Sequence, residues 1–267
     1  MVPEYIHIYN NTEGIDSDFL RRYFRKIFPV AVITVYPDFF ASHLKTAEKT
    51  ADRIDDIAGR IAAARIIRPD RYGDNRKPLP GEVSFERRFL FSDHKKPVGI
   101  MYDGIRLSAV LGRLISSDTK SLKHCHIMIT NQLTGSWESA DLRYHARTAV
   151  YGFPNIISVK GLVDAPARPR EYYLQKQLGL DREPLADKRE REFLVSVSDP
   201  RITEVLKGYL LQALFCHITG DPFCGNPECR LFNAHWQKDM LHAQLQPGAT
   251  LCPRHGKMLK RWKKHVC

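Results

Sequence analysis

Residues 199–229 read DPRITEVLKGYLLQALFCHITGDPFCGNPEC, a helical pattern followed at once by two closely spaced cysteines. Asp199 is a good helix N-cap, and Pro200 suits the first helical position, where its missing N–H has no partner to lose. Behind them Ile202, Val205, Leu206, Tyr209, Leu210, Ala213, Leu214 and His217 recur at three- and four-residue steps, a mostly apolar stripe that ends on an imidazole. Gly220 is placed to stop the helix, because glycine readily takes the left-handed conformation common just past a helix end. The spacing predicts a helix over 199–219 with one packed face, delivering the chain to Cys224 and Cys229.

The partners of those cysteines stand further on, in CPRHG (252–256). Cys224 and Cys229 are separated by Gly-Asn-Pro-Glu, Cys252 and His255 by Pro-Arg, and a structural zinc takes four N or S ligands as two such close pairs. Pro253 stiffens the approach, and Gly256 after the last ligand is expected to turn the chain beneath the metal, as in a zinc knuckle closed by histidine. Four protein ligands leave no position for water or substrate. One zinc at Cys224, Cys229, Cys252 and His255 is therefore read as structural, tying down a C-terminal segment with few aliphatic residues by making metal affinity part of folding.

Disulfides are the poorer reading of the six cysteines, since the chain is long and its N-terminus, MVPEYIHIY, has no apolar export segment. The remaining donors are read as ordinary. His124 and His126 share a face at the start of a strand and are expected to pack. His235 and His242 are expected on the surface, two helical turns apart, and Cys267 as a free thiol.

Upstream, strand and helix patterns alternate. YIHIY (5–9) and the β-branched run VAVITVY (30–36) have strand composition, with the helical FLRRYFRKIF (19–28) between them, a βαβ-like order. Leu44, Ala47, Ala51, Ile54, Ala58 and Ile61 predict a long amphipathic helix, and residues 67–82 read as a loop. Strands are expected at 83–90, 98–102, 126–130, 149–153 and 155–163, with a short helix at 105–115. The fold class is thus α+β: a twisted mixed β-sheet with long helices and a zinc-stapled C-terminal subdomain.

Composition is that of a globular domain, 43% hydrophobic and 27% charged, and no stretch nears the roughly 20 apolar residues of a membrane span, so a cytoplasmic protein without a membrane partner is expected. Of the net +11, residues 230–267 carry +7, eight Lys or Arg against Asp239 alone. Such a tail is usually a solvated face. Lys257, Lys260, Arg261, Lys263 and Lys264, with Trp262 among them, also keep nucleic acid among the candidate partners.

The pattern from His217 onward resembles the archaemetzincins, a branch of the metzincin zinc peptidases. Their signature is His-Glu-x-x-His-x-x-Gly-x-x-His-Cys, followed after four residues by another Cys and later by a Cys-x-x-Cys pair. His217 falls on the second His, Gly220 on the glycine, Cys224 and Cys229 on the two cysteines, and Cys252 and His255 on the late pair. HIMIT (126–130) and AVYGFPNIISVKGLV (149–163) resemble the strands around that family's substrate edge, so the likeness covers roughly 85–258. It implies a metzincin-like sheet and three regions: 1–84, βαβ-like with the long helix; 85–220, the sheet and active-site helix; 221–267, the basic zinc-binding subdomain.

The departures bear on activity. Ala213 stands where the first catalytic His belongs, Leu214 for the general-base Glu, Phe223 for the third His, and Leu231 for the expected Met. A catalytic zinc needs about three protein ligands and a base, and of that set only His217 remains. The resemblance then implies a non-catalytic protein that keeps the structural zinc and a peptide- or protein-binding edge. Three rivals stay open: a peptidase with its metal rebuilt from groups such as His124, His126, His235 or His242, a nucleic-acid-binding zinc protein, and a scaffold for another protein.

Overall fold

A computed structural model describes residues 1–44, 50–73, 76–90, 96–97, 99–178, 196 and 198–263. Its centre is a five-stranded sheet. Strand β1 (Tyr5–Asn10) leads through helix α1 (Ser17–Ile27) to β2 (Val32–Tyr36), which lies parallel beside it. Asp16 caps α1 by accepting from the Phe19 N–H, and Leu20 and Phe24 point into the core. Strand β4 (His124–Thr130) pairs parallel with the other edge of β1, and β8 (Asn155–Ser158) lies parallel beyond it. The short β7 (Ala149–Val150) closes that side antiparallel, giving the order β2-β1-β4-β8-β7. A second sheet holds β3 (Met101–Asp103), β5 (Leu133–Glu138) and β6 (Arg143–Arg147), one parallel and one antiparallel pairing. The combination of helices with mixed sheets is that expected from the sequence.

The main sheet has two unlike faces. Ile6, Ile8, Cys125, Ile127 and Ile129 join α1 and helix α8 (Ile202–Thr219) in the larger apolar core. On the opposite face β1 and β4 present Tyr5, His7, Tyr9, His124 and His126, because side chains two apart in a strand share a face. The smaller core continues from Tyr9 and Met128 to helices α2 (Phe39–His43), α3 (Ala51–Ala63), α4 (Pro80–Leu90) and α5 (Gly104–Leu114). Helices α6 (Val159–Asp164), α7 (Arg170–Gln177), α9 (Gln237–Leu245) and α10 (Pro253–Trp262) complete the described elements. Among the described residues no helix is long and apolar enough to cross a membrane.

Six expectations need correction. Residues 83–90 are not a strand but belong to α4: the Leu79 N–H donates to Glu82, three residues on, the reach-back that opens a helix, and Pro80 takes the first turn. That helix carries Glu86 into the interior, where Arg65 Nε at 2.7 Å, the Tyr102 hydroxyl at 2.8 Å and the Lys96 ammonium all donate to it. The strand expected over 155–163 ends at Ser158, whose hydroxyl accepts from the Gly161 N–H and starts α6. A Cβ at Gly161 would lie 2.2 Å from the Arg147 carbonyl, so glycine permits that packing. The strand at 149–153 is only Ala149–Val150.

The long helix begins at Ala51, capped by the Thr50 hydroxyl, whereas Leu44 closes α2; Ala47 lies outside the described residues. Helix α8 begins at Ile202 rather than beside Asp199, because the Asp199 carboxylate holds the backbone N–H and guanidinium of Arg201 in a preceding turn. It is also buried nearly all round from Ile202 to Phe215 rather than along one stripe. Gly220 does end it, at φ 78°.

Candidate metal centre

Past Gly220 the chain folds into a tight knuckle. The Cys224 N–H donates to the Leu231 carbonyl at 2.8 Å, the Phe232 N–H to the Cys229 carbonyl at 2.8 Å, and the Asn226 N–H points at Cys224 Sγ at 3.4 Å. Arg230 and Cys229 then bridge to Thr250, which brings residues 250–252 alongside. Cys252 sits at the N-terminus of α10, with Pro253 in the first turn, and a spacing of three on a helix turns His255 to the same side. Gly256 does not turn the chain under the site as expected: it lies within α10, which runs on to Trp262.

The donor atoms of Cys224, Cys229, Cys252 and His255 lie within 4.8 Å of one another. Cys224 and Cys252 sulfurs are 3.9 Å apart, and Cys229 and Cys252 sulfurs stand 3.7 Å and 3.2 Å from His255 Nδ1. A tetrahedral zinc with bonds of about 2.3 Å to sulfur and 2.0 Å to nitrogen sets edges of ~3.8 Å between sulfurs and ~3.5 Å between sulfur and nitrogen, so the donor set fits such an ion. The chemistry agrees: three thiols and an imidazole suit zinc, and all four positions are filled by protein. Burial pushes the Cys229 thiol up to about 12. At Cys252 burial acts the same way, but the His255 N–H and the neighbouring thiols outweigh it and hold that thiol below its ordinary value. Cys125 and Cys216 stand apart from this group, and Cys267 lies outside the described residues.

His217 is not among the converging donors. Its Nε2 donates to the Leu122 carbonyl at 2.9 Å, and burial holds its imidazole below its ordinary pKa. One turn back, Ala213 and Leu214 are 0% exposed and sit in the larger core. Phe223 instead stacks edge-on to Tyr151 and lines a cleft of about 360 Å³ with Gln212, Tyr209 and residues 146–151, from the end of β6 to just past β7. His235 precedes α9 and is not on one helix with His242, which bonds to Glu228 at 2.7 Å; both are exposed. On α10, Lys257, Lys260 and Arg261 are exposed and Lys263 is half-buried, whereas Trp262 packs on Phe215 at 4.6 Å and is no free stacking platform; Lys264 lies outside the described residues.

A second group of donors was not legible in the sequence. His7, His124 and His126 place ring nitrogens within 4.8 Å of one another on the aromatic face of the sheet. His124 and His126 share that face as expected, but with His7 between them and Tyr36, Tyr9 and His43 beside them. Burial, more than the neighbouring imidazoles, pushes His7 down to about 4 and His126 to about 3. The available signal was the alternation Tyr5-His7-Tyr9, which mirrors His124-His126 once the two strands are paired.

No curated protein and no solved structure is significantly similar to this chain. One family model matches residues 2–262, nearly its whole length. On that match the chain belongs to the probable metallopeptidase family DUF6775.

Proposed function

We propose that this member of the family is an archaemetzincin-like protein that binds peptide without cutting it and holds one structural zinc at Cys224, Cys229, Cys252 and His255. The observation that carries the reading is the helix of the degenerate signature. Ala213 and Leu214 are packed in the core, and His217 is bonded to a backbone carbonyl. A lone imidazole with its proton committed to Leu122 has neither the partners nor the base to activate a zinc-bound water. Phe223, at the position of the third His, walls a cleft beside the antiparallel edge strand β7, where an extended peptide could add a strand.

The zinc supplies no chemistry in this reading. It ties the knuckle to α10, and through Phe215, which touches both His255 and Trp262, it holds both against α8. A zinc-supplemented peptide library tests the reading: members are expected to be retained uncut, with retention lost in Phe223→Asp. Turnover abolished by His217→Ala would retire it. A second reading rests on the exposed Lys257, Lys260 and Arg261: phosphate binding that weakens with salt at a slope of about −0.9 per neutralised phosphate on duplex DNA.

A further inference from the structure

We propose that His7, His124 and His126 form a second metal site, an all-imidazole site for a zinc-class divalent cation that leaves one coordination position open. The site follows from strand register. Parallel pairing sets Tyr5 beside His124 and His7 beside His126, so His7 shares one patch of the sheet with two imidazoles 117 and more residues away in the chain. The His7 and His126 rings stack at 4.5 Å, and His7 Nε2 faces His124 Nδ1 at 2.9 Å.

The outer nitrogens are held in the manner of metal ligands. His126 Nε2 donates to the Thr119 carbonyl at 3.0 Å, so its Nδ1 lone pair accepts from the Tyr9 hydroxyl at 2.9 Å, a bond that a bound cation replaces. In the tautomer that suits a metal, His7 Nδ1–H donates to the Tyr36 hydroxyl at 3.3 Å and its Nε2 lone pair faces His124. An oxygen on the far nitrogen, fixing tautomer and ring orientation, is the usual support of a ligating histidine. The proton shared between His7 and His124 moves to the outer, half-buried edge of His124 when a cation takes its place, and the pair opens by ~0.5 Å to reach a zinc-type edge of ~3.4 Å.

The chemistry of the donors selects the ion. Imidazoles suit zinc, nickel and copper, whereas magnesium and calcium want oxygen, and among the described residues no carboxylate is a hydrogen-bond partner of these rings. Three protein ligands leave the fourth position to water or a small anion, unlike the closed Cys3His group. The site lies on the face of the sheet opposite α8 and does not rest on the peptide-binding reading above.

The test is metal stoichiometry on the untagged full-length chain, incubated with excess zinc and desalted. Two equivalents are expected for the wild type, one for His124→Gln and for His7→Ala, and one for Cys252→Ser. Cobalt alone added to Cys252→Ser should give weak visible bands without the intense thiolate-to-metal absorption, and those bands should vanish in Cys252→Ser/His124→Gln. His124 is half-buried, so His124→Gln keeps the test valid where His7→Ala fails to fold. Tyr36→Phe, which removes only the outer hydrogen bond to His7, should weaken this site about 10- to 100-fold and leave the other untouched. A single wild-type equivalent, or a second equivalent that survives His124→Gln and His7→Ala together, overturns the site. Peptide turnover lost in His124→Gln but kept in His217→Ala would uphold the site and retire the non-hydrolytic reading.

Discussion

The two donor groups of this protein are built in opposite ways. Cys224, Cys229, Cys252 and His255 come as two local pairs on a knuckle and a helix turn, and they surround their centre completely. His7, His124 and His126 come from two strands far apart in the chain and cover only one side of theirs. The first group lies in a segment that also sends Leu231, Met240 and Leu241 into the larger core. The second lies on a sheet whose other face is already packed with Ile6, Ile8, Cys125, Ile127 and Ile129, and its two strands are brought together by backbone pairing rather than by a metal. A cluster that staples and a cluster that sits on a finished scaffold should respond differently to the same perturbation.

The largest difference is expected on removing zinc. Chelation, or Cys252→Ser, should release the metal of the C-terminal group and expose amides of residues 221–263 to hydrogen exchange, while β1 and β4 stay protected. Structural zinc contributes on the order of 10 kcal/mol to such small sites. Cys125→Ser should leave metal content unchanged, since that thiol is buried in the sheet core away from either group. Equal protection of residues 221–263 with and without zinc would break the comparison.

A smaller effect should come from α8, which connects the two regions. Leu214→Glu places a charge at a fully buried position with no partner, and the whole molecule should lose about 4 kcal/mol or more by denaturant unfolding. Restoring the signature with Ala213→His, Leu214→Glu and Phe223→His together should destabilise rather than create a working zinc site. A stable triple variant carrying an extra zinc would mean that the packed helix is more adaptable than its burial implies.

The smallest effect concerns acid. Burial holds His217 below its ordinary value of 6.5, so the unfolded chain binds more protons than the folded one below that pH. Its contribution is therefore complete above pH 6.5 and is lost as pH falls toward the folded value. His217→Asn should flatten the pH dependence of stability in that window without changing metal content. An unchanged slope would show that burial is not what keeps His217 neutral in the folded chain.

What the sequence determined by itself was local. The end of α8 at Gly220 and the two close pairs, Cys224 with Cys229 and Cys252 with His255, depend on residues within a few positions of each other, where backbone geometry leaves few choices. Even the misread segments carried local signals: the reach-back of Glu82 for α4 and the Ser158 hydroxyl for α6 outweighed alternation that looked like strand. The Trp137–Tyr144 pair of β5 and β6 went unread because a cross-strand contact is a property of two strands and not of either one. Tertiary structure alone decided what depends on such pairings. It surrounded α8 on nearly all sides, closed Arg65, Lys96 and Tyr102 around Glu86, and set His7 against His124. The physical reason is register: a slip of one residue between β1 and β4 would turn the whole imidazole face into the aliphatic core, and only the packing of both faces fixes which pairing is kept.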